Sequence, residues 1–85
     1  MAGREIILDK PKNTIGSASG CDVVLRDPDV GRKHAVISLT GPQPSLVVVD
    51  KQARSQVNRT DVAGAELSPH DLVLLGNTYF RVFVR

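Results

Sequence analysis

The sequence predicts an all-β domain, a β-sandwich or small barrel, on three observations. Its apolar segments are short and rich in β-branched residues, breaker residues separate them at close spacing, and none sustains a 3.6-residue apolar period. Short strands of this kind bury a face only by pairing and stacking, which favours packed sheets.

In chain order, Glu5-Ile6-Ile7-Leu8 reads as the first strand and stops at Lys10-Pro11-Lys12-Asn13. Val23-Val24-Leu25 is closed by Asp27-Pro28-Asp29, because proline fixes φ and removes a ladder donor. Ala35-Val36-Ile37-Ser38-Leu39 and Leu46-Val47-Val48-Val49 flank the turn Gly41-Pro42-Gln43-Pro44. The three valines show no polar alternation, which predicts a strand covered on both faces. Lys51 to Asp61 reads as a long polar connection with basic Lys51, Arg54 and Arg59, of the kind that carries function in compact domains. Ala63-Gly64-Ala65-Glu66-Leu67 is the one stretch that tempts a helical reading, and Gly64 and Pro69 confine it. Leu72-Val73-Leu74-Leu75 follows the turn Ser68-Pro69-His70, and Tyr79-Phe80-Arg81-Val82-Phe83-Val84 follows Gly76-Asn77. Alternation from Arg81 to Arg85 predicts one solvated face for this last strand.

Residues 1–85 are read as one domain, a piece of a longer protein, because a chain of this size has room for a single core. Eleven Lys and Arg against nine Asp and Glu leave a net charge of +2, and the two signs are interspersed rather than gathered on one stretch. Aromatic residues make up 4% with no Trp, too few for base-stacking platforms. Nucleic acid is therefore not an expected partner. The lone Cys21 excludes an internal disulfide, suits a reducing compartment and reads as a buried, inert thiol. No apolar run reaches transmembrane length and Met1-Ala2-Gly3-Arg4-Glu5 opens no signal-peptide core, so a cytoplasmic location is expected, either free or as part of a larger membrane-associated protein. Two distant histidines and one cysteine give no metal spacing, no nucleophile elbow is present, and Gly16-Ser17-Ala18-Ser19-Gly20 lacks the lysine and helix of a phosphate loop. No enzyme activity, cofactor or metal is expected.

The most informative stretch is Gly31-Arg32-Lys33-His34, held between two apolar strands. Three consecutive residues that can bond or neutralise an anion point to a recognition loop. Together with Ile15-Gly16, Ser19-x-x-Asp22-Val23-Val24-Leu25, Val47-Val48-Val49-Asp50, Val57-Asn58 and Leu67-x-x-x-Asp71-Leu72-Val73-Leu74-Leu75-Gly76, it resembles a forkhead-associated domain over nearly the whole chain. The resemblance implies a β-sandwich of two mostly antiparallel sheets with a recognition surface of loops at one end. It also implies a protein-binding module that reads phosphothreonine peptides, as in signalling proteins and bacterial secretion machines.

The departures fall where that family does its chemistry. After Ile15-Gly16 the family places an arginine and this chain has Ser17; before Arg-Lys-His it places a phosphate-bonding serine and this chain has Gly31. The family's Asn-Gly pair is missing, and the shortened connection carries Arg54-Ser55-Gln56. A hydrogen bond to a charged group contributes about 1.5–3 kcal/mol, so the absence of two such bonds removes roughly 3–6 kcal/mol. At about 1.4 kcal/mol per decade, that is on the order of a hundredfold to ten-thousandfold in affinity.

The leading reading is a non-enzymatic interaction module that binds a protein without requiring phosphate. A second is a phosphothreonine reader with a rebuilt pocket, and a third, of another class, is a small nucleic-acid-binding barrel. Candidate peptide or phosphate contacts are Ser17, Ser19, Gly31, Arg32, Lys33, Arg54, Ser55 and Asn58, with Gly16 and His34 as structural support. His34 can contact an anion or brace the loop, and the matching family histidine is mainly a buttress. Asn58 can hold a partner's backbone or bond its own turn, and Gly31 can supply a positive φ after the Asp-Pro turn.

Overall fold

The computed structural model describes residues 4–84, and every element in it is a strand. The order is β1 (Arg4–Leu8), β2 (Lys12–Gly16), β3 (Val23–Val24), β4 (Ala35–Ser38), β5 (Ser45–Val48), β6 (Ser55–Val57), β7 (Thr60–Asp61), β8 (Gly64–Glu66), β9 (Val73–Leu75) and β10 (Thr78–Val84). Two five-stranded sheets result, β1-β10-β9-β6-β7 and β3-β2-β4-β5-β8. Pairing is antiparallel except for β1 with β10 and β2 with β3. The mostly antiparallel sandwich implied by the resemblance is the fold of the chain.

The core lies between the sheets. Ile6, Leu8, Val73, Leu75 and Phe80 enter from the first, Ile15, Ala35, Ile37 and Leu46 from the second, and Leu25, Val30 and Leu67 close it from the loops. Fully burying one such side chain contributes about 1.5–3 kcal/mol, and alternation of inward with outward residues on strands such as β4 and β5 sets their register.

Several elements differ from the sequence reading. Val47 and Val49 are 54% and 52% exposed while Leu46 and Val48 point inward, so β5 is covered on one face only. β-branched residues suit a pleated surface whether or not a layer covers it, so a valine run alone does not signal two-sided burial. The span from Lys51 to Asp61 is not one loop: it contains β6 and β7, joined by Asn58-Arg59. Its inward positions are Ser55 and Val57, and a buried serine hides the alternation. β2 escapes a pattern reading for the same reason. Its inward residues are Ile15 and the 3%-exposed Asn13, whose Nδ2 donates to Lys10 O at 2.9 Å. The stretch 63–67, in which Gly64 and Pro69 argue against a helix, contributes β8, a strand paired with β5 that the sequence reading did not name. On β10, Phe80 is buried and Tyr79 and Phe83 face outward, while Arg85 lies outside the described residues.

Asn58 and Arg59 have φ of 50° and 70°, the two left-handed positions of a type I′ hairpin turn. Asparagine tolerates that conformation, but arginine carries a steric cost of roughly 1–2 kcal/mol that glycine lacks. Arg59→Gly is expected to raise stability by roughly 0.5–1 kcal/mol once glycine's greater unfolded-state freedom is subtracted. A denaturant titration that places the variant's midpoint below that of the parent would contradict the turn assignment.

Candidate recognition site

The loops that join β2 to β3, β3 to β4 and β5 to β6 converge at one end of the sandwich, and backbone hydrogen bonds lock them together. Ser17 N and Ala18 N donate to Gly31 O and Arg32 O at 2.9 and 3.2 Å, and Leu25 N donates to Gly16 O at 2.9 Å. The Cα of Gly16 lies directly under this crossing, where a Cβ would meet the Gly31 carbonyl at 2.9 Å. Cys21, half-buried rather than buried, donates its thiol to Arg32 O at 3.2 Å. It is a tie for the loop rather than an inert core residue. Asp27 anchors the β3–β4 loop to the turn before β10, accepting from Thr78 Oγ1 at 2.7 Å and Asn77 N at 2.9 Å while capping Asp29 N at 2.9 Å. The Thr78 hydroxyl, with the Asp29 and Asn77 amides, holds its carboxyl below the ordinary range. Asp22 holds the other loop: its carboxyl is lowered to about 2 by the hydrogen bond from Lys10 Nζ (2.7 Å), helped by the Thr14 amide and hydroxyl.

His34 sits at the centre with no exposed surface. Its Nδ1 accepts from Gly31 N–H at 3.1 Å, so the proton resides on Nε2, which donates to Ser55 Oγ at 2.8 Å. Its backbone N–H donates to Ile15 O at 2.9 Å, and its carbonyl accepts from Val49 N and Asp50 N at 2.8 and 3.1 Å. Burial pushes the imidazole below its ordinary pKa, and the neighbouring Asp50 charge opposes this only in part. The neutral ring is also what the geometry requires, because a proton on Nδ1 would face the Gly31 N–H.

The predicted site residues divide into separate groups. Arg32, Lys33, Arg54 and Ser19 are exposed, and Ser17 is half-buried beside the Gly31 carbonyl. Ser55 does not join them as a surface donor: it is 6% exposed and its hydroxyl accepts from His34. Asn58 lies at the far end of β6, where its Nδ2 donates to Asp71 Oδ1 and its Oδ1 accepts from Leu72 N, both at 2.9 Å. It fastens the turn before β9, away from the loop cluster. Gly31 is not in the left-handed region, since among the described glycines only Gly76 has positive φ. What requires glycine there is space, because a Cβ would stand 3.0 Å from Asp50 Cβ and Cγ and closer still to Oδ2.

Asp50 is the site residue that the sequence reading missed. It is half-buried at the end of β5, its Oδ1 accepts from Gln52 N at 3.1 Å, and its carboxylate rests against the Cα of Gly31. An Asp opening a polar turn after a strand is the signal that was available. Arg32 and Lys33 beside Gly31, and Lys51 and Arg54 after Asp50 in the chain, are exposed, while the ion pair among the described residues is Lys10 with Asp22.

This arrangement has solved relatives. The FhaA FHA domain, in a complex with the intracellular domain of Rv3910, superposes with a TM-score of 0.79 at 26% identity, over 85% of this chain and 79% of that one. The FHA domain of the CT664 protein from Chlamydia trachomatis gives 0.77 at 25% identity, over 85% and 75%. A family model described as the inner membrane component of T3SS, cytoplasmic domain, matches residues 1–84. The chain belongs to that family and is a forkhead-associated domain. Glycogen accumulation regulator GarA from Mycolicibacterium smegmatis is 35% identical over 75 residues, 88% of this forkhead-associated domain. The chain spans about half that protein, 48% of its length. Forkhead-associated domains are protein-interaction modules, and in this one Asp50 is set against Gly31 at the loop end.

The geometry around His34, Gly31 and Asp50 has two measurable consequences. Because the unfolded imidazole titrates near 6.5 and the folded one lower, the unfolded chain binds more protons just below that pH. Stability should therefore fall as pH drops below about 6.5 and level off near the folded pKa, and His34→Gln should flatten the slope in a pH series of thermal melts. Gly31→Ser should cost about 1–3 kcal/mol by crowding Asp50, and most of that cost should vanish in an Asp50→Ala background. A double-mutant cycle in which the two changes add independently would rule out the contact between them.

Proposed function

We propose that this forkhead-associated domain binds a protein segment through its loop end without requiring a phosphate on it. The observation that carries the reading is the Asp50 carboxylate packed over Gly31, on the ground where the family's serine would offer a hydroxyl to phosphate. A phosphate placed about 4 Å from that carboxylate is opposed by about 1 kcal/mol per charge pair in water and about 4 at an effective dielectric of 20. This repulsion compounds the absence of an arginine at position 17 and of a hydroxyl at position 31. Ser55, a candidate for a rebuilt pocket, has its hydroxyl engaged by His34.

The same end favours an acidic partner of lower charge density. Arg32, Lys33, Lys51 and Arg54 present exposed cations on the rim, where single carboxylates can reach them without approaching Asp50. The family's description as a cytoplasmic domain of an inner membrane component supports a place on the cytoplasmic side of a larger, membrane-associated secretion assembly. No helix among the described residues is long and apolar enough to cross a membrane.

Polarisation titrations with matched peptides test this reading. Acidic peptides carrying plain threonine should bind as well as their phosphothreonine forms. Arg32→Ala and Arg54→Ala should each weaken binding several-fold, more so at low salt. Asp50→Asn should improve the phosphorylated peptide alone. A marked preference of the parent domain for phosphothreonine would sink the proposal.

A further inference from the structure

β10 starts beside Asp27 at the loop end and finishes at the other end of the sandwich, in a groove of about 500 Å³. Pro42, Pro44, Leu67, Pro69, Phe83 and Val84 supply its apolar walls. The backbone of β10 is open there, as the ladder pattern shows. Leu72 N donates to Asn58 Oδ1 at 2.9 Å and Leu72 O accepts from Asn58 N at 2.8 Å, so both polar groups of Leu72 face β6. Backbone polar groups switch sides at each residue of a strand. Val73 and Leu75 therefore face β10, where Phe80 and Thr78 are their partners. The same alternation turns the N–H and C=O of Val82 and Val84 toward β9 as well.

By then β9 has ended. Continued register would set Asp71 against Val82, but Asp71 N donates to Ser68 O at 3.1 Å and its carboxylate takes Ser68 N and Asn58 Nδ2. Opposite Val84 the register would set Pro69, which has no N–H to give. Among the described residues no backbone group pairs with Val82 or Val84 on this side, and β1 occupies the other edge. Arg81, half-buried at the rim, donates from Nε to His70 O at 3.4 Å and belongs to no ion pair among the described residues.

We propose that this edge takes an extended segment of a partner protein, added as a strand beside residues 82–84. Its alternate apolar side chains enter the proline-walled groove, and a neighbouring carboxylate meets Arg81. Backbone hydrogen bonds supply the attraction and the groove supplies the side-chain preference, as in strand addition generally. This surface is separate from the loop end and does not depend on the reading given for it.

Amide exchange by NMR on the intact domain tests the proposal. In the free protein the Val82 and Val84 amides should exchange freely while those of Arg81 and Phe83, turned to β1, are protected. The probes are acetylated octapeptides alternating valine with threonine and carrying one glutamate, with versions N-methylated at alternate amides. At about millimolar concentration the unmethylated peptides should protect Val82 and Val84 at least tenfold, and the version methylated on the docking edge should not. Val84→Pro removes the outward N–H while leaving the ladder to β1 in place, so it should abolish the protection of Val82 at nearly unchanged stability, whereas Phe83→Pro should unfold β10. The proposal fails if Val82 and Val84 are already protected in the dilute free protein, or if the peptide signals move to residues 31–34. It fails equally if protection grows with protein concentration alone, which would make a second copy the occupant, or if no probe protects the edge.

Discussion

The neutral, buried imidazole of His34 is the constraint on which the loop end depends. Its two ring nitrogens join the Gly31 amide to the Ser55 hydroxyl, and its backbone joins β2 to the end of β5. One residue thus couples both sheets and two loops, and its bond to Ser55 is buried. A buried network of this kind fixes geometry because any partner left unpaired costs its full desolvation. Substituting an apolar residue would leave the Gly31 N–H and the Ser55 hydroxyl without their partner. The ring is required here for its two hydrogen-bonding nitrogens rather than for its charge.

The charge that matters belongs to Asp50. A glycine at position 31 allows a carboxylate to settle against the backbone, and the proposed selectivity of this end rests on that carboxylate. On the reading proposed for this end, the exposed basic residues attract acidic groups at long range while the carboxylate opposes a dense anion. Under that proposal, attraction on the rim with repulsion at the centre would be the opposite of a phosphate pocket, in which donors converge on one point. Basic residues in a loop therefore do not define an anion site until the position of the nearest acid is known.

Six strands were legible because their inward positions are apolar: Ile6 and Leu8, Ala35 and Ile37, Leu46 and Val48, Val73 and Leu75, and Phe80 follow the two-residue period, and Val23-Val24 is marked by its turn. β2 and β6 were not, because Asn13 and Ser55 occupy inward positions and are satisfied by hydrogen bonds to groups distant in sequence. β7 and β8 are too short to carry a period of their own and exist because β6 and β5 offer them an edge. At the site, Arg32, Lys33 and His34 were legible as a cluster. The assignment of Ser55 to its interior and of Asn58 to a different turn was not.

The sequence by itself determined the β class, the single core and the likeness to forkhead-associated domains, because alternation, turn residues and their order along the chain are local properties. Tertiary structure decided which polar residues face inward, that Gly31 is a matter of space rather than of φ, and that the end of β10 has, among the described residues, no ladder partner on its groove side. Each of these rests on contacts between residues far apart in the chain, such as Gly31 with Asp50 and His34 with Ser55. Such contacts are set by how the two sheets stack, and no local pattern records that.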